Sequence, residues 1–119
     1  MTRTMRYVAA VGCITCVAVA LFAYARTRNV IVLNNASGQT VVSMVITVRG
    51  DEVEFGELAT GDTAAEHFAI HTDSSFEVTG ELADGTPVRG SFGYVTNGMY
   101  GETATFSVQP DGSVVFDQR

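Results

Sequence analysis

From Val30 to Asp117 the apolar residues fall largely on every second position, in short segments parted by glycine, asparagine, aspartate and proline. A period of two is the mark of a strand, because successive side chains leave it on opposite faces. No stretch of this region keeps a 3.6-residue apolar period over three turns, so helices are excluded as its main element.

Eight strands follow from the pattern. "VIVLN" (30–34) precedes the turn cluster Asn35-Ala36-Ser37-Gly38, and "QTVVSMVITV" (39–48) carries Val42, Met44, Ile46 and Val48 on one face. Arg49-Gly50-Asp51 turns into "VEFGEL" (53–58), and Thr60-Gly61-Asp62 into "AEHFAIH" (65–71), with Phe68 and Ile70 opposite His67, Ala69 and His71. In "SFEVTGEL" (75–82), Phe76, Val78 and Leu82 point inward and Glu77, Thr79 and Glu81 outward. Asp84-Gly85 turns into "TPVRGSFGYV" (86–95), which is followed by "MYGETATFSV" (99–108). Gln109-Pro110-Asp111-Gly112 suits a type I turn, and "SVVFD" (113–117) is the eighth strand. Short strands at this spacing, each with one apolar face, predict an all-β antiparallel sandwich of about seven to eight strands in a single domain, residues 29–119.

The stretch "GYVTNGMYG" (93–101) offers two registers. Asn-Gly between strands normally makes a two-residue turn, but that register would put Phe106 on the face of Arg89 and Ser91. A three-residue loop, Thr96-Asn97-Gly98 with Gly98 left-handed, keeps the apolar set together. It predicts a hairpin with Tyr94 facing Tyr100, Gly90 facing Ala104 and Val88 facing Phe106 on the core side. The other face would then carry Gly93 beside Gly101, with Val95 and Met99 at the tip and Thr103 below. Facing glycines leave bare backbone open to a second chain. These five residues are the expected partner-binding surface.

Residues 1–28 obey a different rule. Arg3 and Arg6 precede an unbroken apolar run from Tyr7 to Ala25, and Arg26 and Arg28 close it. As a helix the run would rise about 28 Å, close to the thickness of a bilayer's hydrocarbon. The expectation is a membrane anchor, N-terminus inside and domain outside. The competing reading is a cleaved secretory signal, for which Ala23-Tyr24-Ala25 supplies a cleavage site before Arg26. Cys13 and Cys16 lie within the run, and residues 29–119 contain no cysteine, so no disulfide supports the domain.

"VIVLNNASGQTVVSMVITVRG" followed by "FGELATGDTAAEHFAI" resembles the opening half of bacterial immunoglobulin-like or fibronectin type III-like envelope modules. The shared mark is a G-x-L-x-x-G-[DE]-[ST] turn, here Gly56 to Thr63. The tryptophan and paired cysteines of antibody domains are missing. With its anchor, the chain resembles small membrane-anchored bacterial proteins. The resemblance implies a β-sandwich of the cell envelope, and the charges flanking the apolar run lead to the expectation that it lies outside the inner membrane, on the periplasmic side.

Residue chemistry points away from catalysis. From Asn29 onward there are thirteen acids against three arginines, a net charge of −10. That balance excludes nucleic acid, which needs a basic footprint, and is expected to keep the domain off anionic headgroups. His67 and His71 would converge on a helix, but four residues of strand span about 13.6 Å, so no metal site is expected. No G-x-S-x-G turn accompanies the histidines, and Asp62, Asp84 and Asp111 beside glycine are ordinary turn residues. Arg49-Gly50-Asp51 reads as a turn. The chain is therefore expected to be a non-enzymatic interaction module without cofactors, an accessory subunit of an envelope complex. The alternative is a secreted ligand-binding or inhibitor domain.

Overall fold

The computed structural model describes residues 28–119. The strands are β1 (Asn29–Asn35), β2 (Val41–Val48), β3 (Asp51–Phe55), β4 (Thr63–Phe68), β5 (Ser74–Leu82), β6 (Pro87–Val95), β7 (Thr103–Val108) and β8 (Val114–Gln118). They form two four-stranded sheets, in the orders β4-β1-β7-β8 and β3-β2-β5-β6. Among the described residues no helix is long and apolar enough to cross a membrane. The expected anchor, Tyr7 to Ala25, lies outside those residues.

The core lies between the sheets. Ile31 and Leu33 of β1, Met44, Ile46 and Val48 of β2, Phe76, Val78 and Leu82 of β5, and Ala104, Phe106 and Val108 of β7 are buried. Phe76 and Phe106 meet edge to face across the interior with centroids 5.5 Å apart. Phe116 lies 5.1 Å from Phe106 and stacks on Phe92 at 5.8 Å. Such pairs contribute roughly 0.5–1.5 kcal/mol each beyond the burial of their surface.

Three expectations are corrected. First, the sandwich is not wholly antiparallel, because β1 runs parallel to β7 from Val30↔Thr103 to Asn35↔Val108. Two strands so far apart in sequence need no tight turn between them, so either direction is open to them. Second, β2 carries a register shift between Val41 and Ser43. One extra residue on a strand reverses the alternation beyond it, so Val41 is buried and Val42 is 42% exposed. Third, β6 and β7 form no hairpin. β6 is an edge of one sheet beside β5, and β7 lies within the other between β1 and β8. Phe92 and Phe106 therefore meet across the core, edge to face at 6.1 Å. Residues 96–102 cross between the layers, which lie about 10 Å apart in such sandwiches.

Side chains close both open seams. The Gln118 amide clasps the backbone of Tyr94: its Oε1 accepts from the Tyr94 N–H (3.3 Å) and its Nε2 donates to the Tyr94 carbonyl (2.9 Å). It thus acts as a substitute strand between β8 and β6. On the opposite seam the Ala69 N–H donates to Asp51 Oδ2 at 2.8 Å, tying the end of β4 to the start of β3. Edge strands left bare invite pairing with other chains, and these clasps blunt them.

A polar pin holds the far end. Asn35 is only 2% exposed, yet its side chain makes four hydrogen bonds. Its Nδ2 donates to the carbonyls of Gln39 and Leu58, and its Oδ1 accepts from the Ser37 N–H and hydroxyl. The Asn35 backbone pairs with Gly61 and Asp62. The Gly56–Thr63 stretch thus wraps around one buried amide as it passes from β3 to β4.

Candidate functional site

The crossing from β6 to β7 dismantles the expected docking face. Gly93 has φ +61°, and a Cβ there would lie 2.5 Å from Phe116 Cζ, so Gly93 sits beneath that ring. This left-handed residue reverses the alternation of β6. Val95 therefore turns inward and is fully buried, and Tyr94 turns outward. Met99 packs half-buried against the core, and Gly101 has φ +70°. Thr103 belongs to the outer face of the other sheet, beside Val30. The five residues share no face. The tyrosines do not form a rim pair on the core either, since Tyr94 is 56% and Tyr100 74% exposed. Gly98 is left-handed as expected, with φ +94°, and closes a turn in which the Met99 N–H donates to the Thr96 carbonyl.

The outer faces of the two sheets differ in charge. On β3-β2-β5-β6 the rows run Glu52-Thr47-Glu77-Ser91 and Glu54-Val45-Thr79-Arg89, followed by Ser43-Glu81-Pro87. Glu77 is held there by the Ser75 and Ser91 hydroxyls, which donate to its Oε1. A shallow, solvent-open depression is lined in part by Thr79, Glu81, Pro87 and Arg89.

On β4-β1-β7-β8 the rows run Thr63-Asn34-Ser107-Val115, Ala65-Val32-Thr105-Asp117 and His67-Val30-Thr103-Arg119. Charge reaches this face only at its margin, where Arg119 Nε lies 3.1 Å from an Asp117 oxygen. Its centre is a platform of threonine, valine, alanine and asparagine. Thr63 donates to Asn34 Oδ1 at 2.8 Å, and Asn34 Nδ2 donates to Ser107 at 3.3 Å. Alternation along single strands does not single out this platform. Its signal was the lack of charge at outward positions of "VIVLN" and "TATFSV".

Both histidines are exposed, as expected, but only His67 stands on a strand, because β4 ends at Phe68 and His71 lies in the loop after it. Among the described residues no three of His, Cys, Asp or Glu gather into a metal-binding group. Asp84 and Asp111 are held below the usual carboxylate range by hydroxyl and backbone N–H donors, from Thr86 for Asp84 and from Ser113 for Asp111. Gln39 adds to the effect at Asp84. Both acids stabilise tight turns, which accounts for their shifts.

These features define the class: an eight-stranded, two-sheet β-sandwich with one acidic outer face and one whose centre is uncharged. The chain matches no known protein family and no curated protein. Among solved structures it is similar to the NMR structure of a protein from Eubacterium rectale. The TM-score is 0.57 at 17% identity, over 77% of this chain and 88% of that one, a likeness of fold alone.

Proposed function

We propose that this chain is a non-enzymatic interaction module, held at the bacterial inner membrane by residues 7–25 with its sandwich on the extracytoplasmic side. It serves there as an accessory subunit of an envelope complex. In this reading the sandwich is an immunoglobulin-like module in architecture, with a strand order of its own. The observation that carries the proposal is the contrast between its outer faces. Interface centres are depleted in charge relative to the rest of a surface, and the β4-β1-β7-β8 platform has that composition. The partner is a protein presenting a similarly uncharged surface.

The test is a mild-detergent pull-down of the tagged full-length protein beside Ala65→Arg and Val115→Arg. Both positions are exposed and flank the platform, so the variants should fold. Loss of the wild-type partner from both is the expected result. Folded variants that retain every partner would refute this face as the docking site.

A second reading, a secreted ligand-binding or inhibitor domain, draws support from Ala23-Tyr24-Ala25. Cleavage before Arg26 would leave the whole sandwich intact, since β1 starts at Asn29. Intact mass and cell fractionation decide. An anchored protein keeps its first residues and stays in the membrane pellet, whereas a mature form beginning at Arg26 would establish the secreted one.

A further inference from the structure

We infer that the end of the sandwich from which β1 starts is a membrane-facing surface, with Tyr94 and Tyr100 seated in the lipid headgroup layer. The inference rests on the anchoring proposed above and adds an orientation and a contact surface.

The register places one set of loops at that end. β1 begins there at Asn29, opposite Phe68 of β4, and β7 begins beside it at Thr103. The Arg49-Gly50 turn, the 69–73 loop, the 96–102 crossing and Arg119 share the same end. Three bonds bind them together. The Asn97 N–H donates to Asp73 Oδ1, the Glu102 N–H to Asn29 Oδ1, and the Arg49 N–H to the Ser74 hydroxyl.

Chain length limits how far the start of β1 can stand from a bilayer. Four steps of fully extended chain, from Ala25 to Asn29, reach about 14 Å at most. The headgroup layer adds roughly 5–8 Å on each side of the hydrocarbon. An apolar run ending at Ala25 therefore keeps the start of β1 at Asn29 no more than roughly 6–9 Å above the headgroups.

Two independent features suit that position. Tyr94 and Tyr100 are among the most exposed large side chains of the domain, at 56% and 74%. Tyrosine, with an apolar ring and a polar tip, concentrates at membrane interfaces. The second feature is the distribution of charge. The loops at this end carry Arg28, Arg49 and Arg119 against Asp51, Asp73 and Glu102. Asp51 and Asp73 each accept a backbone N–H, from Ala69 and Asn97. His71 lies against Gly50 in the same group. The opposite end carries Glu57, Asp62, Glu81, Asp84 and Asp111 with no arginine. The two ends thus differ in net charge, the near one balanced by its arginines and the far one negative. The repulsion from headgroups expected of its net charge does not apply to the near-balanced end.

The chain has no tryptophan, so a single introduced indole is a clean reporter. Full-length Tyr94→Trp, Tyr100→Trp and, at the opposite end, Val42→Trp would be reconstituted in phosphatidylcholine vesicles containing headgroup-spin-labelled lipid. Flotation of the vesicles tests the anchor separately. The expected result is co-flotation, with quenching of the indoles at 94 and 100 at least roughly twofold stronger than at 42, as interfacial aromatics require. Co-flotation with equal quenching at all three positions would overturn the inference and leave the anchor standing. Failure to float would overturn the anchor, and the inference with it.

Discussion

Gly93 is where the backbone of β6 and the closing of a seam meet, and its substitution by alanine reads both. Its φ of +61° costs a side-chain-bearing residue about 1–2 kcal/mol. A Cβ would also stand 2.5 Å from Phe116 Cζ and 2.7 Å from Gln118 Oε1. Phe116 cannot retreat freely, because it stacks on Phe92 and packs against Phe76 and Phe106. Overpacking of this kind costs about 1–3 kcal/mol. Gly93→Ala should therefore lose about 2–5 kcal/mol, a large share of a small domain's stability. Two other glycines separate the terms. Gly98 has φ +94° with nothing within 4 Å of a Cβ, so Gly98→Ala should lose only about 1 kcal/mol. Gly56 has open space and no positive φ, so alanine there should be neutral or stabilise by up to about 1 kcal/mol. Urea denaturation followed by far-UV circular dichroism measures all three. In the Gly93→Ala background, Phe116→Leu should cost less than it does alone, since the smaller side chain relieves the clash. Equal losses at Gly93 and Gly98, with no coupling to Phe116, would refute the closed seam between β6 and β8.

Phe76→Ala and Phe106→Ala should each lose about 3–5 kcal/mol in the same assay, whereas His67→Ala and His71→Ala should stay within about 0.5 kcal/mol of wild type. Asn35→Ala removes four hydrogen bonds from a buried pin and should cost about 2–4 kcal/mol; a change under about 0.5 kcal/mol would show that the pin is dispensable. Asp84 and Asp111 have folded values below the ordinary 3.8. Their contribution is complete above that ordinary value and fades as pH falls through the lowered one. The double variant Asp84→Asn, Asp111→Asn should therefore show a flatter loss of stability with acid, seen as melting temperature against pH between about 5 and 2.

Local alternation made most strands legible, because the period of two is written in adjacent residues and needs no distant partner. Phe76, Val78 and Leu82 point inward as read, and His67 and Glu77 outward. Errors arose where one residue reset the alternation, at the Val41–Ser43 shift and at Gly93. Such resets answer to neighbouring strands, which a single segment does not contain. Asn35 reads as one member of a turn cluster, since a buried asparagine that pins two loops looks like a turn asparagine in sequence. Its four bonds exist only once Leu58 and Gln39 are brought to it. The sequence by itself thus determined an all-β domain from its period, and an apolar run ahead of it from its composition. Only the tertiary structure decided which strands pair. Phe92 and Phe106 bury equally well side by side or face to face, and the choice between those falls to long-range packing. The same packing moved Val95 into the core, turned Tyr94 and Tyr100 outward, and gathered the uncharged platform from four strands separated along the chain.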